Sequence, residues 1–302
     1  MKQLFTFCLI LVLATSCSFN KMFLAPYKIP ANTTKLRKIN RESKDTVYIY
    51  YSGPSYQPTF LHNKQDTIQT NYTIESVVFT SSNGHKLNGW MVKPKNSSPT
   101  TTLLHIHGNA GNLLYQYQAM TPLIEYNYQV FVFDYSGFGF SEGKATKKNV
   151  LTDALSAVDY VRSREDVKNT KLVLYGQSLG GHASATVAAK KQDMIDGLVI
   201  EGAFSSHKDI AAYTMKKALH MAFIGRMFTK DGYNAKRSLK EYKKPVLIIH
   251  STEDETIPFY MGQKLFDTAN EKKEFYEIKK CHICGPGYYP KEISEKINNM
   301  IK

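Results

Sequence analysis

The sequence predicts an α/β fold: a mostly parallel sheet of eight strands with helices on both faces. Three observations carry this. Short Val-, Leu- and Ile-rich runs at 101–106, 129–133, 171–175, 197–200, 245–250 and 274–278 are separated by helix-length segments, which is the alternation of a sheet built from parallel crossovers. The runs lack period-two alternation, as expected of strands covered on both faces. Ahead of them, 74–80 and 87–92 flank Ser82-Asn83-Gly84, the turn chemistry of an antiparallel hairpin.

In chain order, the first element is a targeting segment. Lys2 supplies its positive start, 4–13 is an apolar stretch short for a bilayer span, and Ala14, Thr15 and Ser16 are small. Cys17 follows. This arrangement resembles the lipobox of bacterial lipoproteins, which implies removal of 1–16, lipidation of Cys17 and anchorage to a membrane of the bacterial cell envelope. Ala14 stands where that pattern prefers Leu, so ordinary secretion to a periplasmic or external location is the alternative. Residues 17–71 read as a tether and packing segment. Within it, 19–30 is apolar and punctuated by Pro, and 32–44 is polar and basic, with Lys35, Arg37, Lys38 and Arg41. The β-prone run 46–51 is expected to add an edge strand, and 57–61 to pack on the domain from outside. The domain proper spans 72–302.

Composition sets further bounds. With 42% hydrophobic and 22% charged residues in 302, the chain is globular and can bury one sizeable core. A formal charge of +13 favours anionic partners. The basic residues are scattered and accompany no recognition motif, so nucleic acid is not expected. Of four cysteines, Cys8 would leave with the leader and Cys17 would be acylated. That leaves Cys281 and Cys284 around His282, readable as a strained disulfide, a fragment of a metal site or two small buried residues. No second Cys/His pair at ligand spacing appears, so no metal is expected.

The run 171–175 leads straight into Gly176-Gln177-Ser178-Leu179-Gly180, and an Ala-rich helix-forming stretch, 179–190, comes after. Gly-x-Ser-x-Gly between strand and helix forms a strained elbow that lifts the Ser178 hydroxyl above the sheet and turns the Leu179 amide to the same point. Side chains at 176 or 180 would collide where helix and strand pass, and Gly also tolerates the positive φ of a sharp turn.

An elbow serine needs a base, an acid to orient it and donors for an oxyanion, because a hydroxyl is a weak nucleophile and tetrahedral charge must be stabilised as it forms. After the third strand, His105-Ile106-His107-Gly108-Asn109-Ala110-Gly111-Asn112 is a Gly/Asn-rich loop able to bring a backbone amide near Ser178. After the fourth, 134–141 is a second Gly-rich loop, read as structural rather than chemical. Loops beyond the carboxyl ends of parallel strands are where such folds place their sites. For the acid, Asp254 lies in a loop with Glu253 and Glu255, either of which is an alternative on position alone. For the base, His282 is the one histidine of nine that follows the acid, which satisfies the order serine, acid, histidine.

From about Tyr72 onward, four motifs stand in register: His107-Gly108-Asn109-Ala110-Gly111-Asn112, Asp134-Tyr135-x-Gly137-x-Gly139-x-Ser141, Gly176-Gln177-Ser178-Leu179-Gly180-Gly181, and His250-x-Thr252-Glu253-Asp254-Glu255-x-Ile257-Pro258. Together they resemble the α/β-hydrolase superfamily, in the branch of bacterial serine-aminopeptidase-like hydrolases and eukaryotic protein-depalmitoylating thioesterases. The resemblance implies an α/β-hydrolase fold with a small helical cap at 204–244, Ser178 as nucleophile, Asp254 as acid, His282 as base, and the amides of Asn109 and Leu179 as oxyanion donors. The family usually has Gly where His250-Ser251 stands and Gly-His where Cys281-His282 stands. It also implies cleavage of an ester or thioester through an acyl-enzyme, without cofactor, on a small-molecule or lipid-like acyl substrate. The alternatives are an aminopeptidase and a non-catalytic lipoprotein binding module on the same fold. The cap stretch carries Met215, Met221 and Met227, suited to an adaptable acyl pocket, and ten basic against three acidic residues, which disfavours a cationic peptide terminus as substrate.

Overall fold

A computed structural model describes residues 23–39, 45–62, 66–220, 222–229 and 232–302. The central sheet has eight strands: β1 Tyr72–Thr80, β2 Lys86–Pro94, β3 Thr101–Ile106, β4 Tyr128–Phe133, β5 Lys171–Gln177, β6 Gly197–Glu201, β7 Val246–Ser251 and β8 Lys273–Ile278. Their spatial order is β8-β7-β6-β5-β3-β4-β2-β1. β2 is antiparallel to both β1 and β4, and β3 to β8 are mutually parallel neighbours. The expected hairpin and parallel units are therefore both present.

The absence of alternation in the strands has a direct cause, since both faces are covered. On β5, Leu172 and Leu174 join one apolar cluster while Val173 and Tyr175 join the other, all fully buried. The first cluster is covered by helices α1 (Lys147–Ser163) and α2 (Leu179–Lys190), and the second by the short turn Leu113–Gln116 and the C-terminal helix Pro290–Met300. Burial of each such side chain contributes about 1.5–3 kcal/mol. This packing fixes the register of β5 and hence the height of Ser178 above the sheet.

The described part of the 17–71 segment differs from the expected tether. Lys35–Ile39, Thr46–Ser52, Gln57–His62 and Asp66–Thr67 form an antiparallel sheet of their own. The run 46–51 does not add to the central sheet as an edge strand. The edge of β1 is instead occupied by the Gln57 side chain, whose Nε2 donates to Ile74 O (2.8 Å) and whose Oε1 accepts from Ser76 N (2.8 Å). That amide satisfies two of the backbone groups a further strand would have paired. Alternation in 46–52 turns Ile49 and Tyr51 inward, onto the second cluster. Between this sheet and the 113–118 region lies a cavity of about 1030 Å³, lined by Ile49, Phe60, Ile74, Leu114 and Tyr117 among others.

The cap is also smaller than 204–244. Helices α3 (His207–Leu219) and α4 (Ala222–Phe228) pack on one another, but α5 (Ala235–Glu241) belongs to the layer on the sheet. Its Ala235 and Leu239 are fully buried, and Ser238 Oγ meets Thr186 Oγ1 of α2 at 2.9 Å. Over 207–228 the balance is Lys208, Lys216, Lys217 and Arg226 against Asp209, so the cap remains basic. The leader 1–16, Cys17, Arg41 and Met221 lie outside the described residues. Among the described residues, no helix is long and apolar enough to cross a membrane.

Candidate active site

β5 continues two residues past the predicted 175, through Gly176 and Gln177, and Ser178 then caps α2. Ser178 itself takes φ 55°, ψ −117°. The strain thus falls on the serine and not on the flanking glycines, and such a backbone persists only where surrounding contacts over-determine it. Those contacts are visible: Ser178 N donates to Glu201 O (2.9 Å), and His182 N to Ser178 O (3.1 Å). The glycines are there for space. A methyl at 180 would overlap the Ile106 carbonyl, and one at 176 would sit 2.7 Å from Gly180 O.

The three expected side chains meet above the carboxyl ends of β5, β7 and β8. His282 Nε2 lies 3.0 Å from Ser178 Oγ, and His282 Nδ1 lies 2.6 Å from Asp254 Oδ2. An ionised carboxylate only accepts, so Nδ1 is the donor of that contact, and in the tautomer with its one proton there Nε2 is left as an acceptor for the hydroxyl. Asp254 is buried, while Glu253 and Glu255 are exposed, so position in the fold separates three carboxylates that position in the chain does not. Burial pushes the Asp254 carboxyl up, but the His282 contact and the Ile257 and Thr256 amides, each donating to Oδ1 at 2.8 Å, hold it below the usual range.

The 107–112 loop, the candidate source of an oxyanion donor, packs directly on the serine. A Cβ at Gly108 would lie 3.6 Å from Ser178 Cβ, Asn109 is the next residue, and Leu179 opens α2, where first-turn amides have no intrahelical acceptor. The loop is held from outside by a strap that sequence reasoning treated as tether. Ala25 N donates to Asn109 O (2.8 Å) and Tyr27 N to Gly111 O (2.9 Å), with 25–26 pairing in parallel with 110–111. The same strap reaches the 134–141 loop, where Gly139 N donates to Tyr27 O (3.0 Å), Ile29 N to Gly139 O (2.8 Å), and Lys28 Nζ to Ser141 O. Asp134 is buried and accepts from Leu113 N (2.8 Å), in keeping with a structural role for that loop.

Glu201 was missed from sequence. It is buried at the end of β6, accepting from Tyr175 Oη (2.9 Å), Gln177 Nε2 (2.8 Å) and Gly285 N (2.6 Å). Gln177 Nε2 also donates to Ile283 O (3.2 Å). The carboxylate thereby ties the residue before Ser178 to the loop carrying His282, whose Lys280 and Ile283 both take positive φ. Burial holds its pKa above the usual value. The signal was a single charged residue closing the apolar run 197–200. Other histidines are recessed: burial lowers His105 to about 4 and His107 to about 3, keeping them neutral. Cys281 and Cys284 are free thiols, one exposed and one half-buried, which does not fit two small buried residues. Burial pushes the Cys284 thiol up to about 12.

A serine elbow after the central parallel strand, with an acid and a histidine on the loops after the two last strands, is the arrangement of the α/β-hydrolase fold. A family model described as alpha/beta hydrolase fold matches residues 101–219. The chain is 36% identical over 216 residues to the uncharacterized protein YfhR of Salmonella typhi, covering 66% of this chain and 71% of that protein. It is 28% identical over 255 residues to protein bem46 of Schizosaccharomyces pombe, covering 80% and 84% respectively. Among solved structures, the Pyrococcus furiosus esterase Pf2001 superposes with a TM-score of 0.61 at 19% identity, over 76% of this chain and 90% of that one. The chain belongs to the α/β-hydrolase family.

Proposed function

We propose that this protein is a serine hydrolase that cleaves a carboxylic ester or thioester, anchored to the cell envelope by lipid on Cys17. The observation that carries the chemistry is the continuous chain from Ser178 Oγ through the His282 ring to a buried Asp254. Ser178 Oγ attacks the acyl carbon as its proton passes to His282 Nε2. The oxyanion is received by the Asn109 and Leu179 amides. Collapse breaks the bond to the alcohol or thiol, which leaves with the proton from His282, and the acyl group stays on Ser178. A water then attacks, giving its proton to the same nitrogen, and the acid departs as Ser178 Oγ is reprotonated. Asp254 fixes the ring tautomer and balances the imidazolium. The basic cap favours neutral or anionic acyl substrates over a peptide amino terminus.

The test is a fluorophosphonate probe followed by a substrate comparison. Labelling of the wild type at Ser178, with preference for acyl p-nitrophenyl esters and thioesters over aminoacyl-naphthylamides, is expected. Absence of labelling would favour the binding-module alternative, and preference for aminoacyl substrates the aminopeptidase. For the anchor, Cys17→Ser should release the protein from the detergent phase, and an unmodified N-terminus elsewhere would sink that part.

A further inference from the structure

The cap exposes apolar surface on one face of α4. Phe223 is 72% and Met227 55% exposed, and residues four apart share a helix face. The helix turns a different side to its neighbour: a methyl at Gly225 would overlap the Ala211 carbonyl and sit 2.8 Å from Ala212 N of α3. Beside this face, Lys216, Lys217 and Arg226, with Tyr213 and Tyr260, line an open groove of about 600 Å³. Its one carboxylate, Asp209, is engaged by Arg226 (2.9 Å) and by Lys236 (3.6 Å). Large apolar side chains flanked by cations are the composition of surfaces that lie in the headgroup region of anionic membranes.

Where the chain enters the fold points to the same partner. Phe23 packs at the base of the cap, its ring 5.5 Å from that of His207, the first residue of α3, and 6.5 Å from Phe204. Cys17 is six residues earlier. Six residues reach at most about 20 Å, so the lipid proposed on Cys17 would hold the cap close to the bilayer.

We propose that α4 and the last turn of α3 dock on an anionic phospholipid bilayer, with Phe223 and Met227 among the acyl chains and Lys216, Lys217 and Arg226 against headgroup phosphates. The consequence for substrate, acyl groups presented by the membrane, rests on the hydrolase reading above. The docking itself does not rest on the chemistry, and takes from that reading only the lipid on Cys17.

The experiment uses the full chain carrying Phe223→Trp, reconstituted into phosphatidylcholine vesicles with or without phosphatidylglycerol and with brominated acyl chains. The native chain has one Trp, the buried Trp90, which supplies the background. Blue-shifted emission that bromine quenches in phosphatidylglycerol vesicles, reversed by Lys216→Glu with Lys217→Glu, is expected. An emission typical of water in both vesicles, or equal quenching in the two, overturns the proposal. In a second arm, Phe223→Glu with Met227→Glu should slow hydrolysis of a vesicle-embedded long-chain thioester and spare a soluble short-chain ester. Equal loss on both substrates would count against docking. If the wild type hydrolyses neither, the hydrolase reading fails and the fluorescence alone decides docking.

Discussion

Replacing Asp254 by Asn is the sharpest test of the acid, because the structure dictates how the amide must sit. Asp254 Oδ1 accepts from the Thr256 and Ile257 amides, both at 2.8 Å. In the variant the amide oxygen keeps those two bonds, so the NH2 group takes the place of Oδ2, facing His282 Nδ1. A donor there requires Nδ1 to accept, which moves the ring proton to Nε2. Nε2 lies 3.0 Å from Ser178 Oγ, and a protonated nitrogen cannot take the hydroxyl proton. The expected loss in kcat is about 10⁴, the size seen when a wrong tautomer is imposed on an intact site, or about 5 kcal/mol of barrier at 1.36 per tenfold. Stability should change far less, by at most about 3 kcal/mol for one charge-assisted hydrogen bond. The assay is kcat on a p-nitrophenyl ester beside a thermal melt. A loss below about tenfold, or a larger one in Glu253→Gln or Glu255→Gln, would refute the reasoning.

Further outcomes are expected at other positions. Ser178→Ala should lower kcat by about 10⁴ to 10⁶ and abolish fluorophosphonate labelling with the melt unchanged; near-normal turnover would remove the nucleophile assignment. Gly180→Ala should cost about 1–3 kcal/mol from overlap with the Ile106 carbonyl, read as a drop in Tm, and an unchanged melt would mean the elbow relaxes freely. Ala25→Pro deletes the amide that holds Asn109 O, worth about 0.5–1.5 kcal/mol, and should lower kcat more than it raises KM. The acid limb of stability has two opposed parts. Asp254, with its folded pKa lowered, contributes fully above the unfolded value of about 3.9, and that contribution is lost as pH falls through the folded pKa. Glu201, with its folded pKa raised, gives stability that grows as pH falls from neutral through the folded pKa towards an unfolded value of about 4.3. Glu201→Gln should therefore flatten the rise in Tm on mild acidification, and should slow probe labelling of Ser178 by loosening the histidine loop. A profile identical to wild type would show that Glu201 does not titrate between the two states.

The elements of the core and the order of the site were legible because their signals are local. Strands buried on both faces write themselves as unbroken apolar runs, and the elbow announces itself as two Gly within two residues of Ser178, although the group that excludes a side chain at 180 is the distant Ile106 carbonyl. Chain order then singled out His282. What only the tertiary structure decided depends on contacts between distant residues. Among Glu253, Asp254 and Glu255, burial against His282, 28 residues on, is what distinguishes the middle one. The 23–29 strap bonds to loops more than eighty residues away, so its hold on the 107–112 loop leaves no mark in its own composition. Glu201 reads as the polar end of a strand until Gly285 is folded over it. The small sheet and the reduced cap follow the same logic: whether Gln57 covers an edge, or 235–241 faces the sheet and not the solvent, is set by which surfaces remain unpaired once the core has packed.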